Sequence, residues 1–327
     1  MASSKQLMGM IRSHAAGDDT MFLSIAEHIA LDAEKAGRGR MAGEIRTLVD
    51  NLRSEAASRR TDSRPVPIAA PRGELAGLVR AAYPETRLSD LVLSDDVEGR
   101  IRGVVREHRA REALAERGLE PRRKLLLSGP PGTGKTMTAA ALAGELGLPL
   151  FTVMLDGVIT KYMGETAAKL RIVFDAVRTT RGVYFFDEVD ALATSRGSDN
   201  DIGEARRMLN SLLQFLEEDA SSSVLVAATN HPALLDNAIF RRFDAAFAYG
   251  LPDADQVRRV IIARIGDFDL TNVEWSAIGE AGEGLSQADI VAAARDAARS
   301  AVLDHSGAVS TETVLRAISD RREIHRR

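Results

Sequence analysis

Cysteine is absent from the 327 residues, which excludes disulfides, thiolate nucleophiles and cysteine-ligated zinc. No apolar run approaches the roughly 18 residues that a membrane-spanning helix needs, and the first residues lack the charged-then-apolar order of a secretory signal. The expected location is therefore the cytoplasm. An excess of one charge is also missing: Lys and Arg number 43 against 47 Asp and Glu, and the net charge of −4 offers no general attraction to nucleic acid or acidic membranes. Short basic clusters at Arg59-Arg60, Arg122-Arg123-Lys124 and Arg321 to Arg327 read as solvated faces. None of the six histidines stands in the His-Glu-x-x-His pair of a zinc protease. Aromatic residues are sparse at 5%, yet 45% hydrophobic and 28% charged residues are ordinary proportions for a folded globular chain.

What is present divides the chain into four parts. Residues 1–58 place apolar side chains at helical spacing in Leu7, Met8 and Ile11, then Met21, Ile25 and Ile29, then Met41, Ile45, Leu48 and Leu52. Glycine-containing breaks separate them, so a small three-helix bundle is predicted, serving as a substrate or adaptor domain. Residues 59–73 contain Pro65, Pro67 and Pro71 and read as a linker. Between 74 and 251, apolar runs at Leu125 to Leu127, Leu150 to Leu155, Val183 to Phe186, Val224 to Ala228 and Ala245 to Tyr249 alternate with helical stretches. That pattern predicts an α/β domain, a five-stranded parallel sheet with helices on both faces. Residues 252–327 contain four helical segments, two of them opening on capping pairs, Asp253 with Gln256 and Ser286 with Asp289.

The chemistry begins at Gly129-Pro130-Pro131-Gly132-Thr133-Gly134-Lys135-Thr136, between an apolar strand and an alanine-rich helix. Glycines that turn a strand into a helix leave backbone N–H groups pointing into one concavity, where the helix N-terminus adds partial positive charge. Phosphates fit there, with Lys135 reaching the β and γ groups and the Thr136 hydroxyl available to a bridging Mg²⁺. Downstream, the strand Val183 to Phe186 ends in Asp187-Glu188-Val189-Asp190. Two carboxylates at the carboxyl edge of the sheet suit Asp187 to the cation and Glu188 to the attacking water, while Asp190 reads as structural. The next strand ends in Asn230, placed to contact the γ phosphate or orient the water. Arg241 and Arg242 stand just before the last strand, in a segment Phe240 to Asp244.

These motifs, in this order and followed by a helical region, resemble the AAA+ ATPases, in particular the AAA subgroup of membrane-protease ATPases, segregases and microtubule-severing enzymes. The resemblance covers about residues 85–320. It implies ATP and Mg²⁺ as cofactors, a sensor role for Asn230, and a ring, usually a hexamer, in which Arg241 and Arg242 are arginine fingers for a neighbour's site. It also implies that Lys161, Tyr162, Met163 and Gly164 form a pore loop with Tyr162 gripping an extended polypeptide, that Ser195 to Gly203 holds the position of a second pore loop, and that Gly284 to Ile290 and Leu91 to Leu93 lie near the adenine. The whole chain resembles a bacterial subset associated with a separately encoded subtilisin-like serine protease. The function so implied is a motor that remodels, unfolds or threads proteins. Action on nucleic acid, which the acidic balance disfavours, and a non-threading assembly switch are the alternatives.

Overall fold

The chain divides into two units, Met1–Pro67 and Ile68–Arg327. The computed structural model describes residues 71–158, 163–192, 199–235, 237–304 and 307–326, together with Gly43. The bundle expected over 1–58 lies outside these residues.

Six strands form one sheet: β1 (Val79–Ala82), β2 (Lys124–Ser128), β3 (Leu150–Val153), β4 (Val183–Phe186), β5 (Val224–Thr229) and β6 (Ala245–Ala248), in the order β1-β3-β4-β5-β2-β6. The five expected strands are present and mutually parallel. A sixth, β1, adds antiparallel to β3 at the edge. The five-strand expectation lacked it because it is short, carries Arg80 and buries only Val79, as an edge strand can.

Along the central strands every residue is buried, and successive side chains serve opposite layers. Leu125 and Leu127, Val183 and Phe185, and Val224 and Val226 point to one core, shared with Ile101 and Val104 of α1 (Asp95–Arg109) and with Ala139 and Leu142 of α2 (Lys135–Leu146). Leu126, Tyr184, Phe186 and Leu225 point to the other, filled by Val173 and Phe174 of α3 (Met163–Thr179) and Leu212 and Leu216 of α4 (Asp199–Glu218). Burying each of these Leu, Val or Phe side chains contributes about 2 kcal/mol, which is why uninterrupted apolar runs specify a sheet covered on both faces.

After β6 come α5 (Ala254–Ile265), α6 (Trp275–Gly282), α7 (Gln287–Leu303) and α8 (Thr311–Arg326), packed around Ile261, Ile278, Ile290 and Val314. Both capping boxes form: the Asp253 side chain accepts from Gln256 N, and the Ser286 side chain from Asp289 N. Among the described residues no helix is long and apolar enough to cross a membrane.

Candidate active site

Strands β4, β5 and β2 lie side by side, with Phe186 opposite Ala227 and Ser128 opposite Thr229, so the residues that follow them meet at one edge. Gly129 N donates to Thr229 O at 3.2 Å and ties the start of the loop to the end of β5. Gly129 has φ +147° and Gly132 φ +74°. A Cβ on Gly129 would stand 2.2 Å from Tyr249 O, and one on Gly132 2.6 Å from Ser286 Oγ, so both conformation and space call for glycine. Pro130 is half-buried and Pro131 exposed, while the Thr133 hydroxyl folds back to donate to Pro130 O at 2.8 Å. Gly134, also left-handed, caps α2.

Lys135 opens α2 and is buried; its Nζ donates to Gly129 O and Pro130 O, both at 2.7 Å. Burial lowers its pKa, and the charges of Asp187, Asp190 and Glu188 pull it back up. At the next residue the Thr136 hydroxyl donates to Asp187 Oδ2 at 3.1 Å, joining the loop after β2 to the end of β4. Below the loop, Tyr249 donates to Thr138 Oγ1 at 2.8 Å, and burial pushes its phenol up to about 12.

Glu188 is exposed and has φ +52°, the one non-glycine with positive φ among the described residues. Its own N–H donates to Asp187 Oδ1 at 3.0 Å, and its carbonyl accepts from Ala191 N at 2.8 Å as the chain turns. Asn230 is partly buried at the end of β5, and its N–H donates to Asp190 Oδ1 at 3.2 Å. Asp190 thus has the structural role expected of it: this buried carboxylate joins the turn after Glu188 to Asn230. Its signal was a third acid within four residues after an apolar strand.

The lid reaches the loop through main chain and side chain. Ala288 N donates to Gly132 O at 3.0 Å, and Gln287 Nε2 donates to Val92 O at 2.6 Å. Two clefts border these contacts, one of about 630 Å³ that includes Pro130, Gly132, Leu251 and Ser286, the other of about 290 Å³ that includes Leu93, Thr133, Tyr249 and Gln287. Sequence reasoning named these two segments without their contact atoms.

Arg241 is exposed, with no hydrogen bond or ion pair among the described residues, whereas Arg242 Nη1 meets Glu217 Oε2 at 2.5 Å. Lys161 and Tyr162 lie outside the described residues; of Met163 and Gly164 only the backbone, the first turn of α3, is described. No side chain of Ser195 to Gly203 is among those described, and its backbone is described only from Asp199.

A phosphate-loop fold whose loop lysine and threonine face a strand-end acid pair is the arrangement of nucleoside triphosphatases. The family model of the ATPase family associated with various cellular activities (AAA) matches residues 125–251. An AAA family ATPase from Sinorhizobium fredii, y4kL, is 36% identical over 98% of this chain and 96% of its own length. The ATP-dependent zinc metalloprotease FtsH of Sulfurovum sp. is 30% identical over 75% of this chain, which spans 38% of that protein. The crystal structure of the FIGL-1 AAA domain shares the fold, with a TM-score of 0.59 over 74% of this chain and 85% of that one at 22% identity. The chain belongs to the AAA family of ATPases. It binds nucleotide and hydrolyses ATP.

Proposed function

We propose that this ATPase works as a ring of identical copies that pulls polypeptides through a central pore, and that adjacent copies share each nucleotide site. The observation that carries the reading is Arg241, presented to solvent without a partner among the described residues on the turn into β6. An arginine inserted into a neighbour's site is worth several orders of magnitude in phosphoryl transfer.

The donor set fits a hard cation: the Thr136 hydroxyl and the Asp187 carboxylate are already within 3.1 Å, and among the described residues no three acid or histidine side chains gather to form a separate metal site. Thr136 and Asp187 would hold Mg²⁺, which when bound with ATP supplies positive charge to the β and γ phosphates. Lys135 exchanges the carbonyls of Gly129 and Pro130 for phosphate oxygens. Glu188 accepts the proton of the attacking water, Asn230 orients that water, and the neighbour's Arg241 neutralises charge on the γ phosphate. Glu188→Gln is expected to bind ATP and to turn it over at least about 100-fold more slowly.

For the substrate, the support is the Lys161-Tyr162-Met163-Gly164 segment immediately before and at the start of α3, and the name of the FtsH relative, which couples ATP to proteolysis. Tyr162 grips by non-directional packing, Met163 adapts and Gly164 bends. With no His-Glu-x-x-His in these residues, cleavage falls to a separate serine protease. Casein, an unstructured polypeptide, should raise ATP turnover of the full chain, and in Tyr162→Ala the ratio of stimulated to basal rate should fall to one. Equal stimulation of that variant would sink the threading reading; stimulation by single-stranded DNA instead would favour a nucleic-acid motor.

A further inference from the structure

The turn that carries Arg241 is fastened to its own subunit on both sides. Before it, Ile239 is buried and Phe240 packs against the same core. After it, Arg242 N donates to Ile239 O at 3.0 Å, and Asp244 clasps the start of β2: Asp244 N donates to Lys124 O at 2.8 Å, while Asp244 Oδ2 accepts from Arg123 N at 2.8 Å and Lys124 N at 2.9 Å. Within this clasp the two arginines differ. Arg241 projects into solvent, whereas Arg242 is ion-paired to Glu217 through Nη1 and has its Nε buried with no partner among the described residues.

We propose that Arg242 is a positioning residue: its pair with Glu217 braces the turn so that Arg241 alone is presented to the neighbouring subunit's phosphates. The proposal rests on the shared-site reading above. Three observations support the division of labour. Glu217 and Glu218 end α4, whose last turn contains no basic residue, so two carboxylates sit where the helix dipole disfavours negative charge. Arg242 supplies the missing cation, and withdrawing it to another subunit would leave that end uncompensated. The buried Nε also shows that the stem of the side chain points inward, since a guanidinium extended to a partner would keep its donors in water or on phosphate. Finally, α4 packs against α3 through the Phe174–Phe215 stack, with centroids 5.2 Å apart, so the brace anchors the arginine turn to a rigid layer.

The test measures kcat and KM for ATP, with thermal melting, in the full-length assembly carrying Arg241→Ala, Arg242→Ala, Arg242→Lys, Glu217→Ala or the Arg242→Ala/Glu217→Ala pair. Arg241→Ala should lower kcat at least about 100-fold. Arg242→Ala and Glu217→Ala should each lower kcat by the same factor of about five, with KM unchanged, as expected for loss of one ion pair that acts at a distance. The double variant should fall no further. Arg242→Lys, which keeps the cation opposite Glu217, should retain at least half of the wild-type rate. A Glu217→Ala enzyme with the wild-type rate beside an Arg242→Ala enzyme as slow as Arg241→Ala would overturn the proposal alone, because Arg242 would then be a second trans-acting group. A wild-type rate for Arg241→Ala would instead overturn the shared-site reading and this proposal with it.

Discussion

Glu188 occupies a conformation that its side chain opposes. A left-handed φ costs a residue with a Cβ about 1–2 kcal/mol, and no neighbouring glycine relieves it. The strain results from two demands on the same few atoms: β4 must end at Phe186, and the next turn must place Asp190 under Asn230. Glu188→Gly should therefore abolish ATP turnover while leaving the fold as stable or up to about 1 kcal/mol more stable, once the greater freedom of glycine in the unfolded chain is subtracted. Phosphate release and thermal melting on one preparation check both halves; a clear drop in melting temperature would contradict the strain argument. Lys135 shows a gentler adjustment, since its ammonium satisfies itself on the carbonyls of the loop that it serves.

At the scale of elements, the legible parts were those for which one-dimensional pattern and burial coincide. Leu125 to Leu127 and Val224 to Ala228 had to be central strands because continuous apolar runs need cover on both faces, and the capping boxes at Asp253 and Ser286 marked two lid helices by local hydrogen bonding alone. The phosphate loop and acid pair were legible for the same reason, their function being local in sequence. β1 was not, since pairing with β3 across the chain, rather than its own composition, makes it a strand. Nor could spacing reveal that Arg242 reaches Glu217 on another element.

The seam between α1 and β2 offers a test of its own. His108 of α1 is buried with its Nε2 2.8 Å from Arg122 O, and burial, with the cations Arg181 and Arg111, holds its pKa below 6.5. Below pH 6.5 the unfolded chain binds a proton that the folded chain resists, so stability falls as pH drops from 6.5 towards the lowered folded-state pKa. His108→Gln, which can still donate to that carbonyl, should flatten this part of the stability–pH curve. Denaturant midpoints at pH 7.0 and 5.5 would show it; an unchanged slope would discount the histidine.

On the scale of the whole molecule, the α/β layers and the helical region are joined at the Gly129–Thr136 loop. The first turn of α7 bonds to both Val92 O and Gly132 O, so the helical region is tied directly to the Gly129–Thr136 loop. The contact from Ala288 N to Gly132 O is purely backbone to backbone. At position 288 no side-chain replacement except proline removes the donor; proline lacks it and is tolerated in the first turn of a helix. Ala288→Pro should leave α7 folded and loosen ADP binding by about five-fold, the worth of one hydrogen bond, as measured by calorimetry. Inheritance has a corresponding consequence. At position 288 the donor that ties the lid to the loop is a group that nineteen of the twenty amino acids share, so drift there leaves the tie in place.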